Sequence, residues 1–145
     1  MSEYLETIKK IHDSTFRFVL ISSGGGTNAI SEILKVPGAS NSVLEAYVPY
    51  AKESLDHYLL RQPDHYCSHD TTLSMAAKAY SAAKKIDPKT HPKKLLGIAI
   101  KHHWQPITQK KAIINFSLLF KLISIRIVFP TNLLRVNYPG MKRKQ

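Results

Sequence analysis

Residues Thr15–Leu34 read TFRFVLISSGGGTNAISEIL, an apolar run that is interrupted by three glycines and then resumes with a different period. Aromatic and β-branched residues fill its first part, from Phe16 to Ile21, which is typical of a buried strand. After the glycines, Ile30, Ile33 and Leu34 recur at helical spacing. The pattern predicts a strand, a tight loop and a helix.

The glycine loop is a candidate binding site for an anion. Glycine lets the backbone approach a ligand closely, and a helix N-terminus presents unpaired N–H groups with a partial positive charge. We expect Thr27 or Asn28 to cap the helix, and the hydroxyls of Ser22 and Ser23 to point into one shared space. A phosphate or a developing oxyanion fits such a site, which is predicted to comprise Ser22, Gly24, Gly25, Gly26, Thr27 and Asn28. A plain tight turn is the alternative, because the loop matches neither a Walker motif nor G-x-G-x-x-G.

The first 100 residues alternate between helical and strand patterns. Alternation of this kind predicts an α/β fold, a layered sandwich in which a mostly parallel or mixed sheet is flanked by helices. One domain is the default at 145 residues. The predicted helices are Ser2–His12, Lys52–Leu60 and Ser68–Ile86, and the further predicted strands are Val43–Tyr50 and Leu95–Ile100, with a turn at Pro37-Gly38.

The net charge of +11 is distributed unevenly. Residues 1–100 contain 12 Lys and Arg against 10 Asp and Glu, whereas residues 101–145 contain 9 against none. This change in composition occurs without a linker. We therefore divide the chain into an α/β domain, residues 1–100, and a basic Ile/Lys-rich tail, residues 101–145.

Several segments of the first 100 residues together resemble a known family. The order SSGGGT, PGAS, AYVPY, a Ser-initiated helix after Tyr66-Cys67, and GIAI resembles the C-terminal domain of the competence/damage-inducible CinA family, whose active members are nicotinamide-nucleotide amidohydrolases. That family has a loop E-S-x-T-G-G with a nucleophilic Ser, and a later stretch A-Y-S-N-x-x-K. The resemblance aligns Ser23 with the nucleophilic Ser of that loop and Gly26 with one of its glycines. It aligns Tyr50 with the Tyr of the later stretch. Leu55 takes the place of the Lys, so Lys52, one helical turn earlier, is the substitute candidate for the base.

The tail is predicted to be an out-of-frame continuation of such a domain. Read from the third base of each codon, the segment from Lys101 accommodates A-S-L-A-T-D-x-P-K-K-G-D-H-K, which is similar to the family segment TASLATDxPKxGDHx. In this shifted frame, the codon that spans His103 and Trp104 can encode only Leu. The codon that spans Trp104 and Gln105 can encode only Ala, the second Ala of the segment. The sheet is then expected to be incomplete at its C-terminal side, with an unpaired edge. On this hypothesis the basic charge of the tail does not indicate that the protein binds nucleic acid.

The resemblance implies an amidohydrolase-related domain that binds or deamidates a pyridine nucleotide such as nicotinamide mononucleotide, with impaired activity in this chain. A non-catalytic nucleotide-binding or regulatory relative is one alternative, and a basic nucleic-acid-binding protein that uses the tail is another. The expected partner is a small-molecule nucleotide, without a cofactor, and a homo-oligomer is compatible with the sequence.

Other classes of protein have weaker support. His65, Cys67 and His69 supply at most three metal ligands, so no metal site is expected. Lys121 and Arg126 interrupt the apolar run Ala112–Phe129, so no membrane association is expected either. With one cysteine and no recognisable signal peptide, the expected location is cytoplasmic.

Overall fold

The structure, a computed structural model, describes residues 3–101 and the backbone of residue 102 and of residues 123–128. Helices and strands alternate along the chain, as the periodicity predicts. The helices are α1 (Glu3–His12), α2 (Thr27–Lys35), α3 (Ala39–Ser42), α4 (Lys52–Leu59) and α5 (His69–Ile86), with a 3₁₀ turn at Pro92–Lys94; the strands are β1 (Arg17–Ser23), β2 (Val43–Tyr47), β3 (Leu95–His102) and β4 (Ile123–Val128).

The four strands form one mixed sheet in the order β2-β1-β3-β4. Strand β1 pairs in parallel with both β2 and β3, and β4 pairs antiparallel with β3. The predicted layered α/β fold with a mixed sheet is confirmed. The expectation of an unpaired edge beside β3 is wrong, because β4, which belongs to the tail, supplies the hydrogen-bonding partners for that edge.

The hydrophobic core fills the space between the sheet and the α4–α5 layer. Strand residues Val19, Ile21 and Ala99 pack there against alanines of α5 that are fully buried. The approach is close, because a Cβ added at Gly97 would lie 2.2 Å from the carbonyl oxygen of Ala76. The small-residue face of α5 therefore brings the helix into backbone contact with β3. The buried core residues are Val19, Ile21, Leu55, Leu59, Met75, Ala76, Ala79, Ala83, Leu95 and Ala99.

A buried histidine links α1 to the two helices that follow β1. His12 is 1% exposed, and its Nε2 donates to the carbonyl of Ile33 at 2.9 Å. In the neutral ring, Nδ1 then accepts from the Ser42 hydroxyl at 2.6 Å. Ser42 lies in α3, a single helical turn that the sequence analysis missed because it follows the Pro37-Gly38 turn directly.

The remaining boundaries differ modestly from prediction. Strand β2 ends at Tyr47 rather than Tyr50, since Pro49 has no N–H to donate to a strand ladder. No helix in the described part of the chain is long and apolar enough to cross a bilayer. Of the apolar run Ala112–Phe129, only 123–128 is described, as β4, and the other predictions for the tail beyond His102 lie outside the described residues.

Candidate functional site

The carboxyl ends of β1 and β3 meet at a topological switch point. The chain leaves β1 to form β2 on one side, while β3 pairs with the other side of β1. In open α/β sheets, ligands bind in the crevice that this divergence creates. Ser23 is the last residue of β1, so the candidate nucleophile and the glycine loop that follows it lie at this crevice.

The glycine loop uses the backbone conformations that only glycine adopts readily. Gly24 and Gly26 have φ values of 83° and 104°. Gly26 is the N-cap of α2, and no side chain caps the helix. The expectation that Thr27 or Asn28 is the cap is wrong, because the left-handed Gly26 turns the chain directly into the helix and makes them its first two residues. The N–H groups of this helical turn are left without a side-chain acceptor.

Ser22 and Ser23 face opposite sides of the sheet, because successive residues of a strand alternate. The expectation that their hydroxyls share one space is therefore wrong. Ser22 is fully buried, and its Oγ lies 3.6 Å from the position that a Cβ on Gly26 would occupy. Among the described residues this hydroxyl has no hydrogen-bond partner. The Ser22 hydroxyl is therefore a hydrogen-bond donor beneath the glycine loop that has no acceptor among the described residues.

Ser23 lies on the other face, in the row that continues from Val19 and Ile21 towards the carboxyl edge. It is 5% exposed. Its register partner on β3 is Lys101, which is 6% exposed and continues the row of Leu95 and Ala99. Burial lowers the pKa of the Lys101 amine, while the nearby Cys67 thiol acts in the opposite direction with a smaller effect. Sequence reasoning missed Lys101 because the change in composition assigned it to the tail; the signal was the strand pattern LLGIAI, which runs on into it.

Comparison with known proteins identifies the fold. No protein-family model matches the sequence, and no curated protein sequence matches it. Among solved structures, a competence-damaged protein (CinA) superfamily protein from Enterobacter cloacae matches with a TM-score of 0.55 and 18% identity, over 70% of this chain and 60% of that one. The chain has a CinA-like fold.

Two further structures agree with this assignment. A CinA superfamily protein from Escherichia coli matches with a TM-score of 0.53 and 13% identity, over 73% of this chain and 63% of that one. The competence/damage inducible protein CihA from Agrobacterium tumefaciens matches with a TM-score of 0.53 and 17% identity, over 73% and 64%. The chain thus spans less than two thirds of the length of these CinA-like structures, and the likeness concerns the fold.

Within the CinA-like fold, the two candidate residues after β2 differ in their surroundings. Tyr50 is 77% exposed, in the segment that joins β2 to α4. Lys52 is the first residue of α4, and its Nζ lies 4.7 Å from the centroid of the Tyr66 ring. Leu55, which the sequence comparison put on the family lysine, is 2% exposed and belongs to the hydrophobic core.

Three tyrosines and an aspartate organise this region. Tyr47 ends β2, and its ring stacks on that of Tyr58 with a centroid distance of 4.9 Å. Burial raises the pKa of Tyr58 to about 12, with a smaller effect from Glu45. The Tyr66 hydroxyl donates to the Asp56 carboxylate at 2.8 Å, which fixes the ring under Lys52. Burial and this hydrogen bond raise the pKa of Tyr66.

Two surface grooves of the CinA-like domain lie away from this crevice. One, of about 500 Å³ between α1 and α2, includes Asn28 and Glu32, and the other, of about 640 Å³ between α4 and α5, includes Tyr58 and Lys78. Neither groove is lined by Ser23 or by the glycines. Within the described residues no group of three His, Cys, Asp or Glu could hold a metal ion, so His65, Cys67 and His69 are not brought together as one.

Proposed function

We propose that this chain is an amidohydrolase-related, CinA-like domain that binds a pyridine nucleotide such as nicotinamide mononucleotide at the carboxyl edge of β1. The observation that carries the proposal is the buried, unpartnered hydroxyl of Ser22 beneath a glycine loop that opens into an uncapped helix. A phosphate or an oxyanion supplies the acceptors that this hydroxyl and the first N–H groups of α2 lack.

Ser23 is the proposed nucleophile. Its Oγ attacks the carbonyl carbon of the substrate amide while a base takes the hydroxyl proton, and the carbonyl oxygen becomes the oxyanion. The C–N bond then breaks, and the nitrogen leaves as ammonia with a proton returned by the base. Water hydrolyses the resulting ester, which releases the carboxylic acid and restores Ser23.

The family stretch A-Y-S-N-x-x-K fits this chain best from Ala46-Tyr47, which puts its last residue on Lys52. This alignment replaces Tyr50 and Leu55 with Tyr47 and Lys52. Two facts support it: Tyr47 ends a strand next to β1, and Leu55 belongs to the core. In this proposal Tyr47 and Lys52 border the nucleotide on the β2 side, and Lys52 offers a positive charge to a substrate phosphate.

Binding and hydrolysis are tested separately with the purified chain. Isothermal titration with nicotinamide mononucleotide, and with nicotinamide riboside as the matched ligand without phosphate, measures the contribution of the anion. Ammonia release from the mononucleotide, with Ser23→Ala as control, measures hydrolysis. We expect the riboside to bind at least about tenfold more weakly, since a charge-assisted contact contributes about 1.5–3 kcal/mol. Equal affinity for both ligands would contradict an anion site at the glycine loop.

A non-catalytic nucleotide-binding relative is supported by the same loop and has a distinct signature. It predicts binding of the mononucleotide without ammonia release, and no difference between the chain and Ser23→Ala. The exposed thiol of Cys67 supports a cytoplasmic location in either case, because a free thiol persists in a reducing compartment.

We also propose that residues 101–145 are read out of frame, as the codon comparison predicts. Strand β3 extends to His102, so the proposed boundary falls within a strand rather than at its end. Resequencing the codons for Ile98–Lys111 tests this proposal. A one- or two-base shift that restores a segment like ASLATDxPKKGDHK supports it, and an intact frame in both gene and messenger refutes it.

A further inference from the structure

The groove between α4 and α5 concentrates positive charge, and it takes no part in the proposed function. Its volume of about 640 Å³ is within the range of small-molecule sites. Arg61, Lys78 and Lys85 line it, and no aspartate or glutamate of the described residues does. No carboxylate among residues 3–101 forms an ion pair with any of these three cations. The α4–α5 groove is therefore a concave surface whose three positive charges are not neutralised by the described part of the chain.

One face of α5 forms one wall of the α4–α5 groove. Polar residues recur on this face at intervals of four, three and four residues, as Ser74, Lys78, Ser81 and Lys85. At a rise of about 1.5 Å per residue, Lys78 and Lys85 are about 10 Å apart along the helix axis. Lys78 is half-buried and Lys85 is exposed. Because lysine side chains are long and flexible, both ammonium groups can converge on one ligand.

The end of α4 brings Arg61 to the groove from the other side. The helix ends at Leu60, the one non-glycine residue of the described chain with a positive φ, at φ 57° and ψ 25°. A left-handed residue at this position turns the chain out of the helix, so that Arg61 follows directly. Nη2 of Arg61 donates to Ser74 Oγ at 2.9 Å, and the Ser74 hydroxyl donates to the carbonyl of Asp70 at 2.9 Å. These two hydrogen bonds hold the guanidinium against α5.

The donors of the α4–α5 groove fit a chain of phosphate groups. A guanidinium and two ammonium groups are the cations that bind phosphate oxygens in proteins, and the Ser81 hydroxyl adds a further donor. Three cations match a ligand that carries several negative charges close together. An extended nucleic acid fits less well, because residues 1–100 contain 12 Lys and Arg against 10 Asp and Glu and so lack the broad basic surface that such a ligand needs.

We propose that the α4–α5 groove binds an oligophosphate, the anionic group that nucleoside triphosphates and inorganic polyphosphate share. Arg61 binds phosphate oxygens from the α4 side, and Lys78 and Lys85 bind them from α5. Tyr58 and Leu59 line the same groove and offer apolar surface to a nucleoside where the ligand carries one. This site lies apart from the crevice at β1 and does not depend on the proposed function.

Isothermal titration of the full chain with three probes tests the chemistry of the ligand. The probes are inorganic tripolyphosphate, adenosine triphosphate and adenosine. We expect both phosphate probes to bind, more weakly as the salt concentration rises, and adenosine not to bind. Tighter binding of adenosine triphosphate than of tripolyphosphate supports a nucleotide as the ligand, and equal affinity supports the phosphate chain alone. Absence of binding of both phosphate probes would overturn the proposal.

Acetylation of lysines, read by peptide mass spectrometry, locates the bound probe without any substitution. We expect tripolyphosphate to protect Lys78 and Lys85. Lys84 should remain as reactive as in the free chain, because its Nζ lies 5.2 Å from the centroid of the Tyr80 ring and it does not line the groove. Protection of Lys52 instead would place the ligand at the β1 crevice and overturn the groove site. Protection of Lys78 and Lys85 by a single-stranded oligonucleotide but not by tripolyphosphate would also overturn it.

A pair of variants on α5 separates the groove from net charge. Lys78→Gln removes the half-buried charge of the groove, and Lys84→Gln, the matched control, removes the same charge from the same helix outside it. We expect Lys78→Gln to weaken binding of tripolyphosphate by about tenfold or more, the usual effect of losing a charge-assisted hydrogen bond. Lys84→Gln is expected to bind it as the unmodified chain does. Equal losses in both variants would show that binding follows net charge and would overturn the proposal.

Nicotinamide mononucleotide keeps this test apart from that of the proposed function. We expect Lys78→Gln to bind the mononucleotide as the unmodified chain does, because Lys78 does not belong to the β1 crevice. Loss of tripolyphosphate binding with retained mononucleotide binding supports two separate sites. Equal losses for the two ligands in Lys78→Gln would reveal one shared site and overturn the inference.

Discussion

Gly26→Ala is the substitution that most directly tests the geometry of the candidate site. Gly26 has φ 104° and ψ 0°, outside the compact left-handed region that L-residues tolerate. Holding alanine there costs about 1–3 kcal/mol. The new Cβ would also lie 3.0 Å from Ile100 Cγ2 and 3.6 Å from the Ser22 hydroxyl. The methyl group would thus be in van der Waals contact with the unpartnered hydroxyl.

Urea unfolding followed by circular dichroism measures the stability of this variant, and titration with nicotinamide mononucleotide measures its binding. We expect a loss of about 1–3 kcal/mol in the free energy of unfolding, together with a loss of binding. Gly25→Ala is the matched control, because Gly25 is exposed and its φ is not positive. The control is expected to be neutral or stabilised by about 0.4–1 kcal/mol. If Gly26→Ala were as stable as Gly25→Ala, the left-handed cap and its role in the site would be refuted.

Three further predictions concern stability. Gly97→Ala is expected to lower the free energy of unfolding, measured in urea, by about 3 kcal/mol or more. The reason is that the added Cβ would lie 2.2 Å from the Ala76 carbonyl oxygen, so α5 would have to move. A loss below about 1 kcal/mol would contradict that close contact. Ser22→Ala is expected to be neutral or stabilising without ligand, whereas Ser42→Ala, which leaves His12 Nδ1 unpaired, is expected to lose about 1–3 kcal/mol; equal losses would argue against the difference in hydrogen bonding. The carboxylate of Asp87 accepts a hydrogen bond from the Thr90 hydroxyl at 2.6 Å and forms an ion pair with Arg17. These contacts hold the pKa of Asp87 below its ordinary value. The stability that they contribute is therefore present above about pH 4 and is lost as the pH falls further. Asp87→Asn is expected to make the free energy of unfolding less dependent on pH in that acid range. An unchanged pH dependence would contradict a stabilising role for the Arg17–Asp87 ion pair.

The sequence predicted the elements whose signals are local. The apolar run before the glycines forms β1, and the helical spacing after them forms α2. Ser68, one of the two capping candidates beside Asp70, caps α5, since its hydroxyl accepts from the N–H of Thr71 at 3.1 Å. These features depend on residues within a few positions of one another, and periodicity and capping chemistry are therefore sufficient to predict them.

Sequence reasoning failed where a choice depended on distant residues. The sequence comparison put Tyr50 on the family tyrosine and Leu55 on the family lysine; β2 ends before Tyr50, at Tyr47, and Leu55 lies in the core. The edge of β3 was expected to be open, and β4 pairs with it. Sequence spacing alone does not tell which face of a strand or helix meets the core, because that is decided by packing against elements elsewhere in the chain.

The sequence by itself determined that a strand, a glycine loop and a helix follow one another, and that Ser23 stands at the end of that strand. Only the tertiary structure decided that Ser22 and Ser23 serve opposite faces, that Gly26 rather than a side chain caps α2, and that Lys101 lies beside Ser23. The physical reason is register. Backbone hydrogen bonds between β1 and β3 fix which residues become neighbours across the sheet, and a shift of one residue would turn Lys101 to the other face.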